Sequence, residues 1–98
     1  MRGRNCYVVS YDIMEPKRLQ KVHKMMKGFG DAVHYSVFRC DLTPKGRAEM
    51  IAALTDLIKH DEDRVMIINI GPVEGMAEDR IEFLGVHRSE EKENAIIV

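Results

Sequence analysis

The sequence has few of the features that mark several large protein classes. Its 98 residues contain no apolar run long enough to span a membrane. It has two cysteines, Cys6 and Cys40, and neither belongs to a Cys-x-x-Cys motif or to a Cys/His spacing typical of zinc sites. We therefore expect no membrane association and no zinc, and we interpret both cysteines as small buried side chains in a reducing cytoplasm. The N-terminus leads straight into a strand, so no cleavable signal peptide is expected.

A strong net charge is also missing, which argues against a globally basic nucleic-acid-binding protein. The formal net charge is −1 and the sequence pI is about 6.4. The charge is uneven, however: residues 1–60 hold eleven Lys and Arg against six Asp and Glu, whereas residues 61–98 hold four against ten. This asymmetry permits a local basic surface on a mildly acidic protein.

The first predicted strand is the segment Tyr7–Ile13, which is rich in β-branched and aromatic residues. Its apolar side chains alternate onto both faces, as expected for a central strand covered on two sides. The strand delivers one carboxylate, Asp12, at its C-terminal end. A carboxylate there is accessible and rigidly held, which suits chemistry. Asp also commonly closes a strand or caps the next helix, so both interpretations stay open.

The first helix is predicted to run from Glu15 or Pro16 to Phe29, with an apolar stripe of Leu19, Val22, His23 and Met26. Its other side carries basic residues without a compensating acid: Lys17, Arg18, Lys21, Lys24 and Lys27. A purely basic face is consistent with a partner that bears phosphates. It is equally consistent with an ordinary solvated face.

The segment from Asp31 to Asp41 is predicted as strand, either one long strand or two short strands joined by a bend. No Gly or Pro marks a turn inside it, so the pattern does not decide. Ser36 lies in this segment, where its hydroxyl can bond the local backbone or bind a phosphate.

The second helix is predicted from the N-cap Thr43 and Pro44 to about His60, with Met50, Ile51, Leu54, Leu57 and Ile58 buried. The acidic turn Asp61–Asp63 is expected to face solvent. An apolar central strand, Arg64–Ile70, and a weaker strand, Arg80–Val86, follow.

The chain divides into a predicted domain, residues 1–87, and a charged tether with a C-terminal strand, residues 88–98. We expect the apolar end, Ala95–Val98, to dock on a partner protomer, with packing on its own domain as the alternative. The element order predicts an α+β fold, a ferredoxin-like βαββαβ sandwich with both helices on one face. The other sheet face is then apolar and bare, and a homodimer would cover it.

Several motifs resemble the small CRISPR-associated adaptation proteins of the Cas-two family. They are Tyr7–Ile13, the helix start Lys17–Val22, Gly30, and the run His34–Phe38. The resemblance implies a ferredoxin-like homodimer in which Asp12 and its symmetry mate hold Mg²⁺ or another divalent metal. It also implies a metal-dependent nuclease on RNA or double-stranded DNA, working with the CRISPR integrase in spacer acquisition.

The same resemblance suggests which residues carry activity. Tyr11, Ser36 and Phe38 match positions tied to catalysis beside Asp12, and Arg18 and Lys21 match basic positions. The predicted nucleic-acid-binding set consists of Arg18, Lys21, Lys17 and Lys24. His34 and Ala32 depart from the Gln and the basic residue common in relatives.

The sequence is therefore consistent with three candidate functions. The first is a Mg²⁺-dependent phosphodiesterase centred on Asp12. The second is a non-catalytic architectural dimer that bridges integrase dimers and holds DNA. A ferredoxin-like module that binds a small regulatory ligand is the third, although no glycine-rich ligand loop supports it.

Overall fold

The computed structural model describes residues 3–75 and 80–86. Its elements, in chain order, are β1 (Asn5–Asp12), α1 (Pro16–Met26), β2 (Asp31–His34), β3 (Val37–Leu42), α2 (Pro44–Leu57) and β4 (Arg64–Pro72). The strands form one sheet in the order β2-β3-β1-β4, and every neighbouring pair is antiparallel. This order, with one helix after β1 and another after β3, is the predicted ferredoxin-like βαββαβ fold.

The segment left undecided by the sequence forms two strands. β2 and β3 are joined at Tyr35 and Ser36, and His34 pairs with Val37 across the turn. Ser36 has a φ of 87°, in the left-handed region that glycine usually occupies. Because a serine takes the position where glycine is usual, the turn carries no recognisable sequence signal.

Both helices begin at side-chain caps. The Glu15 carboxylate accepts hydrogen bonds from the backbone N–H groups of Lys17 and Arg18, which lower the pKa of Glu15. The Thr43 hydroxyl accepts one from the backbone N–H of Gly46 at 3.1 Å. In each helix proline follows the cap, where its missing N–H costs no hydrogen bond.

Both helices end about three residues before their predicted ends. After α1 the backbone tightens, and the N–H of Gly28 donates to the carbonyl of Met25. Ile58 has a ψ of 162°, so the chain leaves α2 in an extended conformation. The apolar pattern that predicted longer helices continues through these residues because Phe29 and Ile58 still pack against the core.

The core lies between the helices and one face of the sheet. Alternate residues of β1 (Tyr7, Val9 and Tyr11) and β3 (Phe38, Cys40 and Leu42) meet Val22 and Met26 of α1 and Met50 and Leu54 of α2. The prediction that both cysteines are buried and unpaired is confirmed. Burial raises the pKa of the Cys40 thiol to about 12, so this thiol is not a nucleophile at neutral pH.

The opposite face of the sheet carries no helix in the described part of the chain. Val8 lies between Arg39 and Ile68 in the register, and Ser10 lies between Val37 and Met66. The side chains of Met66 and Ile68 are 51% and 41% exposed. We call this surface the open face. Its apolar residues are Val8, Val37, Met66 and Ile68, but Ser10 and Arg39 lie among them, so the face is more polar than predicted.

Three further predictions need correction. The strand predicted as central at Arg64–Ile70 is β4, which lies at the edge of the described sheet and pairs only with β1 there. No strand forms over residues 81–86, which have no regular secondary structure. This segment packs back on the sheet instead: Arg80 Nη1 donates to the carbonyl of Ile70 at 2.8 Å, and the Phe83 ring meets His34 edge to face. The acidic turn does not face solvent throughout, because the side chain of Asp63 is fully buried.

The predicted C-terminal strand, Ala95–Val98, and the tether before it lie outside the described residues. Within the described ranges, no helix is long and apolar enough to cross a bilayer.

Candidate functional site at the end of the first strand

Asp12 is the last residue of β1, and its side chain is exposed. Strand alternation places it on the open face, opposite to the buried Tyr11. Arg64, the first residue of β4, is its direct partner in the antiparallel register. Directly opposed residues of an antiparallel pair share a face with Cβ atoms about 5 Å apart. Sequence reasoning did not find Arg64, because the register of a central strand with a distant edge strand is not visible in either segment.

Tyr11 projects into the core side, where it organises the end of β1. Its hydroxyl lies 2.9 Å from Nδ1 of His23, and its backbone N–H donates to the carbonyl of Ser36 at 3.1 Å. The Phe38 ring stacks near Tyr11, with centroids 6.2 Å apart, and meets the His23 ring edge to face at 5.3 Å. The fold therefore brings together Tyr11, Ser36 and Phe38, which the sequence resemblance had grouped.

Burial limits what these side chains do directly. Phe38 is 0% exposed and Tyr11 is 5% exposed, so both rings support the site from within the core. His23 completes the cluster, although the sequence pattern identified it as part of the helix stripe without a site role. Its partner at the end of β1 becomes apparent only when α1 is packed on the sheet.

A groove of about 580 Å³ opens beside this cluster, between α1 and the β2–β3 turn. Its apolar walls come from Pro16 and Leu19 of α1 together with the rings of Tyr11 and Tyr35. Polar and basic groups also line it: Gln20, Ser36, His23, Lys24 and Lys27. Because Asp12 follows Tyr11 directly, the groove and the carboxylate lie at the same end of the sheet.

Arg18, a predicted nucleic-acid contact, is held by two acids. Its Nε donates to Oδ2 of Asp63 at 2.6 Å, and its Nη2 donates to Oδ1 of Asp63 and to Oε1 of Glu62, both at 3.0 Å. The guanidinium lowers the pKa of both carboxyl groups, in Glu62 together with Lys59. The charge of Arg18 is thus largely neutralised within the fold.

The predicted lysines have a different setting. Lys17, Lys21 and Lys24 are all exposed, and their i, i+4, i+7 spacing places them along one side of α1. We call these three residues the lysine stripe. Lys24 belongs both to the stripe and to the groove. The structure therefore separates the basic set into one paired arginine and a row of exposed ammonium groups.

A divalent metal needs more ligands than one chain presents at Asp12. Among residues 3–75 and 80–86 there is no group of three or more His, Cys, Asp or Glu side chains placed to hold a metal ion. Mg²⁺, however, is commonly held by one or two carboxylates together with waters and substrate phosphate oxygens. An exposed Asp12 on the open face fits the role of half such a site.

Comparison with known proteins identifies the family. The family model of CRISPR associated protein Cas2 matches residues 5–74. Over 70 residues the chain is 44% identical to CRISPR-associated endoribonuclease Cas2 1 of Rhodospirillum rubrum, covering 71% of this chain and 69% of that protein. It is 40% identical over 70 residues to CRISPR-associated endoribonuclease Cas2 of Geobacter sulfurreducens, covering 71% and 74%.

Solved structures agree with this assignment. The crystal structure of Streptococcus pyogenes Cas2 at pH 6.5 superposes with a TM-score of 0.71 at 29% identity, covering 82% of this chain and 99% of that chain. A hypothetical protein from Thermus thermophilus superposes with a TM-score of 0.75 at 30% identity, covering 88% and 96%. The chain belongs to the CRISPR-associated Cas2 family.

Proposed function

We propose that the protein is a Mg²⁺-dependent endonuclease that hydrolyses phosphodiester bonds in RNA or double-stranded DNA. It works as a homodimer in the cytoplasm, together with the CRISPR integrase, during spacer acquisition. The observation that carries the proposal is Asp12, an exposed carboxylate at the end of the central strand, beside a hydrogen-bonded Tyr11. Relatives at 44% and 40% identity are named endoribonucleases, which supports this activity for the present chain.

The open face supports the homodimer. Met66 and Ile68 leave apolar side chains about half exposed on a surface that no helix covers within the described residues. A second copy stacked on this face would bury them. Asp12 shares the face, so the same association would bring two Asp12 carboxylates to one interface.

Each residue at the site has its own role in the proposed reaction. The two Asp12 carboxylates bind the metal, and Arg64, opposite Asp12 in the register, is placed to hold a phosphate oxygen. The contacts among Tyr11, His23 and Phe38 keep the end of β1 rigid, and the lysine stripe contacts neighbouring phosphates. Ser36 holds Tyr11 through its carbonyl and lines the groove. When bound, Mg²⁺ lowers the pKa of a water nucleophile and stabilises charge on the scissile phosphate.

The test compares the wild-type protein with Asp12→Asn on RNA and on duplex DNA, with Mg²⁺ and with EDTA. We expect Asp12→Asn to lower Mg²⁺-dependent cleavage by about 100-fold or more, the scale for losing one charge-stabilising group. Asp56→Asn makes the same charge change on the exposed surface of α2 and should cleave normally. Equal cleavage by wild type and Asp12→Asn would reject the mechanism and indicate a contaminating nuclease.

An architectural role without catalysis is the second candidate. It is favoured by the single exposed carboxylate at the site and by the scarcity of other catalytic groups around it in the described ranges. In this role the dimer bridges integrase dimers and holds DNA. If the Asp12→Asn variant still assembles with the integrase and supports spacer insertion, the role in the cell is architectural. Loss of insertion with the complex intact would instead assign the cellular function to cleavage.

A further inference from the structure

The reaction proposed at Asp12 places no part of the substrate inside the groove between α1 and the β2–β3 turn, although Tyr11, His23, Ser36 and Lys24 line it. Its volume of about 580 Å³ lies within the usual range for small-ligand sites, roughly 300–1,000 Å³. We propose that it binds one unpaired nucleobase of a single-stranded nucleic acid, stacked on the Tyr35 ring, while flanking phosphates contact the lysine stripe. The inference rests on the proposed nucleic-acid function and adds a recognition site to it.

The position of Tyr35 is the first argument. Its side chain is 81% exposed, although aromatic rings gain strongly from burial. The turn holds it there, because Ser36 adopts a φ of 87° and its carbonyl accepts the backbone N–H of Tyr11. Backbone strain of this kind persists where the surrounding structure enforces it, and such positions cluster at binding sites. An exposed ring on a fixed backbone is suited to stack on a base of any sequence.

The chemistry of the other walls is the second argument. Leu19 presents an apolar surface, and the Gln20 amide offers both a hydrogen-bond donor and an acceptor, as the edge of a base requires. Lys24 contributes to the groove and to the lysine stripe, so a bound base would place its flanking phosphates beside a row of ammonium groups. This combination complements a nucleotide better than it complements an apolar peptide or a second copy's open face.

The groove also explains a division within α1. Arg18 pairs with Asp63 and Glu62, whereas Lys24 of the lysine stripe lines the groove and Lys17 and Lys21 are exposed on the same helix. Along the helix axis, Lys17 and Lys21 are separated by about 6 Å and Lys21 and Lys24 by about 4.5 Å. Lys24 and Lys27 thus place positive charge at the groove, and Lys21 and Lys17 extend it along α1, as a bound phosphate backbone would require.

The experiment measures binding to a short single-stranded RNA that contains 2-aminopurine, in EDTA so that metal-dependent cleavage does not occur. The wild-type protein should bind it with quenched 2-aminopurine fluorescence, the signature of stacking. Tyr35→Ala should weaken binding about fivefold or more and abolish the quenching, whereas Tyr35→Phe should retain both. Because Tyr35 is exposed, Tyr35→Ala should keep the wild-type circular dichroism spectrum, which is measured alongside.

Matched lysine variants separate stacking from general attraction. Lys24→Ala should weaken binding and reduce its salt dependence, whereas Lys45→Ala, which removes an exposed lysine from α2, should leave both unchanged. An oligonucleotide of the same length that is abasic at every position should bind wild type and Tyr35→Ala equally.

The outcomes distinguish this inference from the proposed reaction. If the Tyr35→Ala variant binds the RNA and quenches 2-aminopurine fluorescence as the wild type does, the groove assignment is wrong, even if Asp12→Asn abolishes cleavage. Conversely, a Tyr35-dependent quench in a protein that never cleaves would uphold the groove while the endonuclease proposal fails.

Discussion

Asp63 shows how much one side chain contributes to the geometry of this site. Its buried carboxylate accepts hydrogen bonds from Arg18 of α1, from the backbone N–H of Met14 at 3.0 Å and from that of Lys59 at 2.8 Å. It thereby ties the β1–α1 turn, just after Asp12, to the segment that leads into β4. The acidic turn is a structural clamp on the loop beside the candidate site.

The first residue-scale prediction is that Asp63→Asn destabilises the protein. Asparagine has one acceptor oxygen, so its amide N–H₂ would face donors on the other side, and Arg18 would lose one of its two hydrogen bonds to this side chain together with the charge of the carboxylate. We expect the midpoint of thermal unfolding at pH 7 to fall by about 5 °C or more. Asp61→Asn makes the same charge change at an exposed position of the same turn, and it should leave the midpoint unchanged.

The same clamp predicts a pH dependence. Hydrogen bonds lower the pKa of Asp63 in the folded protein below its value in the unfolded chain. Its contribution to stability is therefore complete above the unfolded pKa, about 3.9, and is lost as the pH falls towards the folded pKa. In urea unfolding, the difference in unfolding free energy between wild type and Asp63→Asn should shrink below about pH 4. If this difference in unfolding free energy stays constant between neutral pH and about pH 2.5, Asp63 does not act as a clamp.

At the scale of the elements, the end of α1 depends on a close approach to β3. A Cβ at Gly30 would overlap the carbonyl oxygen of Arg39 and lie 2.6 Å from Sγ of Cys40. Glycine is therefore required where the chain leaves the helix and enters the sheet. Gly46, inside α2, is different, because a Cβ there would meet its nearest neighbours at an ordinary 3.5 Å.

Alanine substitutions at Gly30 and Gly46 should accordingly change the free energy of unfolding in opposite directions. Gly30→Ala should lower the free energy of unfolding by about 1–3 kcal/mol or more, since backbone must move to admit the methyl group. Gly46→Ala should raise it by about 0.4–1 kcal/mol, because alanine restricts the unfolded chain and favours the helix. Chemical denaturation of both variants measures the two effects. A neutral Gly30→Ala would show that β3 can move away from the helix end.

At the scale of the whole molecule, the open face decides whether Asp12 acts alone. One chain supplies a single carboxylate to the site, so the proposed metal chemistry depends on association of two copies. The apolar surface of Met66 and Ile68 is positioned on the same sheet face as Asp12, by the alternation of β1 and β4. Oligomeric state and activity should therefore change together.

The prediction is that Ile68→Glu converts a dimer into a monomer. Two-fold symmetry would bring paired glutamates into an apolar interface, which should raise the dimer dissociation constant by about 100-fold or more. Sedimentation velocity measures the change, and Mg²⁺-dependent cleavage should fall in parallel. Ala52→Glu, which adds the same charge at an exposed position of α2, should remain dimeric. A dimeric and active Ile68→Glu would place the interface elsewhere.

Much of the fold follows from local features of the chain. Alternation in Tyr7–Ile13 identified a central strand, and Pro16 in the first helical turn and the N-cap Thr43 located both helix starts to within a residue. These features depend on side-chain periodicity and on local hydrogen bonds, which a sequence carries within a few residues. The helix ends were less accurate, because Phe29 and Ile58 continue the apolar pattern beyond the last helical hydrogen bonds.

By itself, therefore, the sequence determined the order of elements, the buried faces, the basic side of α1 and the position of Asp12 at a strand end. Only the tertiary structure decided what lies beside these features. It divided residues 31–41 into two strands through the strained Ser36, paired Arg64 with Asp12, joined Tyr11 to His23, and placed Arg18 on a buried Asp63. Each of these contacts joins residues distant in the chain or requires a conformation unusual for its residue type. Their geometry is therefore set by packing of α1 on the sheet and by strand register, which local sequence does not encode.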